Sequence, residues 1–165
     1  MRKIKMQELK KDIFDKYGNF SNMLSPEGVH LGNDLCAFYR DLNRMSSSSN
    51  IIGFSVTRIH KRELVITELE HHDYTGEALM PIDGDICIHV APATAKGDLP
   101  LQSIEVFRVP KGTLVTLRPG TWHTGPFVVA GDIANVLNIL PERCYTNDCT
   151  IMQIPEEEKV GVEGI

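Results

Sequence analysis

Two runs hold the groups with the most chemical promise in this chain: Glu70-His71-His72-Asp73-Tyr74-Thr75-Gly76-Glu77, closed by Gly84, and, much later, Pro119-Gly120-Thr121-Trp122-His123. Each run alone is ordinary, because a histidine at a strand end is commonly exposed or satisfied by one hydrogen bond. Together they describe a split site. Groups so distant in sequence meet only if the chain folds back on itself, as a small β-barrel does.

Successive strand residues point to opposite faces, so Ile66, Glu68, Glu70 and His72 share one side while Val65, Thr67, Leu69 and His71 share the other. Glu70 and His72 therefore project together. A short turn brings Glu77 alongside, and a Pro119-Gly120 turn aims His123 at the same place, with Trp122 packed beside it. Imidazole and carboxylate suit Ni, Zn, Mn or Fe, which makes His72, Glu77 and His123 candidate ligands of a divalent metal. Without metal the same groups exchange protons, since histidine is close to half protonated near neutrality and burial raises a carboxyl pKa. Glu70, His72, Glu77 and His123 are thus the candidate catalytic residues. Arg58 and Arg118 offer planar two-pronged donors for a substrate carboxylate, and with Trp122 they are the candidate substrate contacts. His30, His60 and His89 lack partner spacing and receive no role.

The elements that must position these groups read as β. Leu35 to Leu42, Ile51 to Ile59, Leu64 to Leu69, Ala78 to Ile82, Ile86 to Val90, Ile104 to Val109, Thr113 to Leu117, Phe127 to Val129 and Ile133 to Ile139 are strand candidates bounded by turn residues. Leu9, Ile13, Phe14 and Tyr17 recur at helical spacing, with Gly18 placed to stop a short N-terminal helix. Asp83-Gly84 predicts a two-residue type I′ hairpin. Pro110-Lys111-Gly112 marks another turn, and the acidic Ile154 to Lys159 tail is expected at the surface. The whole, residues 1–165, is expected to be a single all-β domain, a sandwich or barrel with one leading helix.

A formal net charge of -5, without a Lys/Arg run, argues against a nucleic-acid partner. The charged start and the lack of a long apolar run argue against a membrane span, and a cytoplasmic location is expected. Cys36, Cys87, Cys144 and Cys149 form no Cys-x-x-Cys pair and are expected to be reduced thiols. A Gly-x-Ser-x-Gly elbow and a Gly-rich phosphate loop are both missing, which removes serine-hydrolase and nucleotide-dependent readings.

At these residues the chain resembles the cupin superfamily: His72-x4-Glu77-x6-Gly84 fits the second half of its first motif and Pro119-Gly120-x2-His123 part of its second. Glu70 stands where most metal-binding cupins place their first histidine. Within that superfamily the chain is similar to the ureidoglycolate lyase family from Tyr17-Gly18 to Ile154-Pro155-Glu156. That likeness is carried by Glu68-Leu69-Glu70-His71-His72, Ala78-Leu79-Met80-Pro81-Ile82, Val90-Ala91-Pro92, Trp122-His123 and the stretch from Cys149 to Glu156. The resemblance implies a cupin-like double-stranded β-helix barrel, a homodimer, and cleavage of ureidoglycolate to glyoxylate and urea in allantoin and purine degradation. Two other readings use the same pocket: a non-catalytic cupin that binds a small acid, and another metal-dependent cupin enzyme.

Overall fold

The computed structural model describes residues 1–95 and 97–164. In chain order the strands are β1 (Arg2–Lys5), β2 (Gln7–Glu8), β3 (Gly18–Asn22), β4 (His30–Asn33), β5 (Cys36–Tyr39), β6 (Ile52–His60), β7 (Val65–Ile66), β8 (Glu68–His71), β9 (Glu77–Pro81) and β10 (Ile86–Val90). They continue with β11 (Glu105–Val109), β12 (Thr113–Leu117), β13 (Phe127–Val128), β14 (Ile133–Pro141), β15 (Thr150–Gln153) and β16 (Val160–Glu163). Two one-turn helices, α1 (Lys11–Phe14) and α2 (Cys144–Asn147), complete the set with two 3-10 turns.

Two larger sheets carry the body: β3-β12-β9-β14-β6 and β13-β10-β11-β2. From β9 onward the chain alternates between them, with β9, β12 and β14 in the first and β10, β11 and β13 in the second. That alternation makes the fold an all-β, cupin-like double-stranded β-helix. One consequence corrects the hairpin expected at Asp83-Gly84, because β9 and β10 lie in different sheets and Gly84 does not take the positive φ that a type I′ turn requires. Asp83 instead accepts the Asn135 backbone N–H at 2.8 Å and its side-chain amide, tying the turn to β14.

Burial follows the period-2 pattern of the strands. Leu79, Val115 and Val136 from the five-stranded sheet join Ile86, Ile88 and Phe107 from the four-stranded one in a single apolar cluster. On the other face of β10 and β11, Cys87, Ala91 and Val106 pack with Ile66 and Leu69 and with Val160 and Val162 of the outer sheet β1-β16-β7. β10 is covered on both faces, and all five of its residues are buried. Ile66 and Leu69, expected on opposite sides, share one cluster because pairing breaks at Thr67 between β7 and β8.

The N-terminal helix is shorter than its apolar spacing implies, ending at Phe14. Phe14 and Tyr17 serve as a plug for the first cluster: the Phe14 ring meets Phe107 edge-on at 5.2 Å, and the Tyr17 hydroxyl donates to Glu105 at 2.5 Å. Gly18 acts as a strand residue, since a Cβ there would collide with the Thr116 carbonyl of the neighbouring strand. The strand expected over Leu35 to Leu42 is β5, and it pairs antiparallel with β4, which precedes that range, through a turn closed by the Asn33 carboxamide accepting the Leu35 and Cys36 N–H groups. β1, β2, β3, β4, β15 and β16 lie outside the expected strands. All four cysteines are free.

Candidate functional site

The two motifs are joined edge to edge. Glu70 and His123 exchange both backbone hydrogen bonds, at 2.6 and 2.8 Å, and the Gly120 N–H donates to the His72 carbonyl at 2.6 Å. Arg118 to Thr121 form a turn in which the Thr121 N–H reaches the Arg118 carbonyl at 3.2 Å, with Pro119 second and Gly120 third at φ +77. That is the residue order a type II turn demands. Antiparallel pairing then puts the Glu70 and His123 side chains on one face, and the adjacent Trp122 on the other.

Glu77 enters from β9. Gly76 before it allows the strand to press against β12, because a Cβ at that position would strike the Leu117 carbonyl. The result brings Glu70, His72, Glu77 and His123 together, with one ligand atom from each inside a 4.8 Å cluster. Glu77 Oε2 lies 2.9 Å from His123 Nε2 and 3.3 Å from His72 Nε2, and Glu70 Oε1 lies 3.9 Å from His123 Nε2.

The outer nitrogens fix both tautomers. His72 Nδ1 donates to the Asp148 carbonyl at 2.6 Å and His123 Nδ1 to the Thr121 carbonyl at 2.8 Å, so each Nε2 faces Glu77. The Asp148 carboxylate also accepts the Asp73 and Tyr74 N–H groups at 2.7 and 2.9 Å, which anchors the loop that carries His72. Glu77 Oε1 accepts from Asn138 Nδ2 at 2.7 Å, and Asn138 Oδ1 accepts from the Thr57 hydroxyl at 2.8 Å.

Charge follows from this geometry. Burial alone drives the Glu77 carboxyl up, but hydrogen bonds from His123 and His72 and their charges outweigh it and leave the pKa lowered. That reverses the upward shift expected for a carboxyl in an apolar pocket. Burial likewise lowers His123, yet the Glu77 hydrogen bond and the nearby carboxylates leave it raised. Two Nε2 atoms and a carboxylate oxygen at these separations require a shared proton or a cation between them, because bare lone pairs repel.

A divalent cation fits this donor set. Ligands about 2.1 Å from a tetrahedral centre stand roughly 3.4 Å apart, within the range of the observed separations of 2.9, 3.3 and 3.9 Å. The donors are two imidazoles and two carboxylates, which suit first-row transition metals. The four residues are a candidate metal-binding group.

They line a cavity of about 240 Å³, walled also by Ser55, Thr57, Leu79, Asn138, Leu140, Tyr145 and Cys149. Among the described residues, no Lys or Arg borders it. Arg58 turns its Nε to Asn135 Oδ1 at 3.0 Å, and Arg118 pairs with Asp15 at 3.3 Å in solvent. Trp122 is buried away from the cavity, donating to Thr94 Oγ1 at 2.8 Å with its ring 4.2 Å from that of His71. The three expected substrate contacts therefore sit outside the cavity. Asn138, which donates to Glu77, and Asp148, which holds His72 and its loop, lie outside the motifs. Asn138 left one signal, a polar residue inside the apolar run Val136-Leu137-Asn138-Ile139-Leu140.

A family model described as ureidoglycolate lyase matches residues 1–161. The ureidoglycolate lyase of Escherichia coli (strain K12 / DH10B) is 23% identical over 159 residues, covering 94% of this chain and 97% of that protein. That of Shigella boydii serotype 18 has the same identity and coverage. Among solved structures, a dTDP sugar isomerase from Desulfovibrio desulfuricans G20 aligns with a TM-score of 0.48 and 15% identity, over 84% of each chain. A Bacillus subtilis oxalate decarboxylase variant aligns with a TM-score of 0.43 and 15% identity, over 65% of this chain and 26% of that one.

Proposed function

The chain belongs to the ureidoglycolate lyase family, and on that premise we propose that it cleaves ureidoglycolate, or a closely related carbinolamide, to glyoxylate and urea. The observation that carries this reading is the convergence of Glu70, His72, Glu77 and His123 in the lining of a single cavity. Elimination of urea from a carbinolamide needs a group that takes the hydroxyl proton and a group that protonates the departing nitrogen.

Glu70 is the candidate base. Glu77 is occupied by both histidines and Asn138, whereas the Glu70 side chain has, among the described residues, only the Cys149 thiol at 3.5 Å besides His123. Removal of the hydroxyl proton by Glu70 lets the carbinol oxygen form the aldehyde C=O as the C–N bond breaks. The electron pair of that bond goes to the urea nitrogen, which takes the proton that Glu70 removed, so the proton is conserved and the His72–Glu77–His123 group stays free to hold positive charge. A divalent metal held by His72, Glu77 and His123, with Glu70 beside it, would supply positive charge to polarise the hydroxyl and hold the carboxylate. In a cavity with two carboxylates and no Lys or Arg among its described walls, such charge is what an acidic substrate requires.

The reading extends to a cytoplasmic homodimer working in allantoin and purine breakdown. Phe54 and Val56, 72% and 60% exposed on the long edge strand β6, support self-association, because an apolar edge is normally covered. The deciding experiment measures glyoxylate and urea release from ureidoglycolate, with and without added Ni, Zn, Mn or Fe. Stoichiometric release of both products is expected, and no release under any metal would reject the proposal.

A further inference from the structure

His89 lies in the middle of β10, 0% exposed, and neither ring nitrogen has a hydrogen-bond partner in the protein among the described residues. An imidazole in this state is unusual, since folded chains pair the great majority of their buried polar groups. His89 lines a second cavity, of about 210 Å³, whose other polar side chains are Arg62, Thr67, Glu68 and Thr124. Thr124 and Gly125 also border the cavity that holds Glu77 and His123, so this short segment is the wall between the two.

The polar groups are held in place. Arg62 Nη2 donates to the Gly125 carbonyl at 2.8 Å and its guanidinium lies 4.4 Å over the Phe127 ring, while Glu68 accepts from Gln153 at 2.6 Å. Arg62 and Glu68 balance in charge. Burial pushes the His89 pKa down to about 3, which keeps the ring neutral with one donor and one acceptor. A cavity of this kind favours neither anion nor cation. It matches a small neutral molecule that both donates and accepts hydrogen bonds, a demand the Thr124 hydroxyl repeats.

We propose that this second cavity is a binding site for a small neutral amide, and that its ligand is urea, the amide product of the reaction proposed above. The identity of the ligand rests on that reading. One amino group of urea donates to the bare imidazole nitrogen and the other to Thr124 or Glu68, while the urea carbonyl accepts from Arg62. A product site across the Thr124-Gly125 wall gives the departing amide a place outside the catalytic cavity.

The test titrates the full-length protein with urea well below denaturing concentrations and follows the histidine ring nitrogens by long-range 1H–15N NMR, alongside crystals soaked in selenourea. A saturable shift of the His89 resonances and anomalous selenium density beside His89 are expected, with binding about tenfold weaker in Thr124→Val, the loss of one hydrogen bond. Arg62→Leu should weaken it similarly, which keeps the test open if changes at His89 itself prevent folding. Sodium acetate and ammonium chloride should give no saturable shift. A response linear in urea, or density for ordered water alone, overturns the site. Urea release without saturable urea binding sinks this site and leaves the lyase reading, whereas saturable urea binding without any release removes the lyase reading and retains the amide site.

Discussion

Asn138 Nδ2 donates to Glu77 Oε1 at 2.7 Å, while the other Glu77 oxygen faces both histidines. This contact decides which oxygen serves the site. Because Thr57 donates in turn to Asn138 Oδ1, the amide cannot flip without losing both partners. Asn138→Leu should therefore lower divalent-metal affinity and turnover by roughly 10- to 100-fold, the usual cost of losing an outer hydrogen bond at a metal site. Thr57→Val should do less, and Thr57→Ser should restore the original values. Calorimetric metal titration beside the lyase assay measures both effects, and an unchanged affinity in Asn138→Leu would show that Glu77 is held by packing alone.

Metal content gives a second prediction. Protein purified without chelator should carry one divalent ion per chain, and Glu77→Gln should lose it, since a neutral amide replaces the charge shared by two imidazoles. Treatment with chelator should lower the melting temperature, because an ion that binds only the folded state stabilises it. Elemental analysis and differential scanning calorimetry read the two quantities. Full metal content in Glu77→Gln would place the ion elsewhere.

The residues at the centre of the site were legible in the sequence because their types are rare together and their turn chemistry is explicit: Pro119-Gly120 could form little else but the turn that aims His123. Strands such as Ile86 to Val90 and Thr113 to Leu117 announced themselves through β-branched runs, and the structure places both at those bounds. β1, β2 and β16 did not. Their residues are charged or few, and they owe their pairing to neighbours: β1 runs parallel to β16, and β2 to β11, contacts between residues about 100 or more apart in sequence that no local pattern encodes. Arg58 and Arg118 suggest substrate contacts through their guanidinium chemistry, which says nothing of direction, while strand alternation and a local carboxylate partner direct them away.

The plug at the barrel end makes a third prediction, about stability. Phe14 is fully buried and meets the rings of Tyr17, Phe20 and Phe107 edge-on at 5.8, 5.8 and 5.2 Å. Phe14→Ala should destabilise the fold by about 3–5 kcal/mol, the range for emptying an aromatic core position. Urea unfolding measures it. A loss below about 0.5 kcal/mol, the scale of a surface change, would show that α1 frays from the barrel instead of closing it.

Acid sensitivity supplies the fourth prediction, through Asp85. The Lys111 N–H donates to its carboxylate at 2.8 Å, and Arg108 Nη2 and Nε donate at 2.6 and 3.1 Å, which together hold its pKa below the ordinary value against the upward push of partial burial. A carboxyl with a depressed folded pKa binds its proton more readily in the unfolded chain. Its contribution is therefore fully present above the unfolded value, near about 3.9, and disappears as pH falls through the lower folded value. Asp85→Asn should flatten that part of the stability profile and reduce stability at neutral pH, where the charged pair with Arg108 is intact in the parent protein. Because Asp85 ties the β9–β10 turn region to the β11–β12 turn, the loss should extend to faster amide exchange at Lys111. Urea midpoints from pH 7 down to pH 3 provide the measurement, and parallel profiles for the two proteins would mean that Asp85 contributes nothing through its charge.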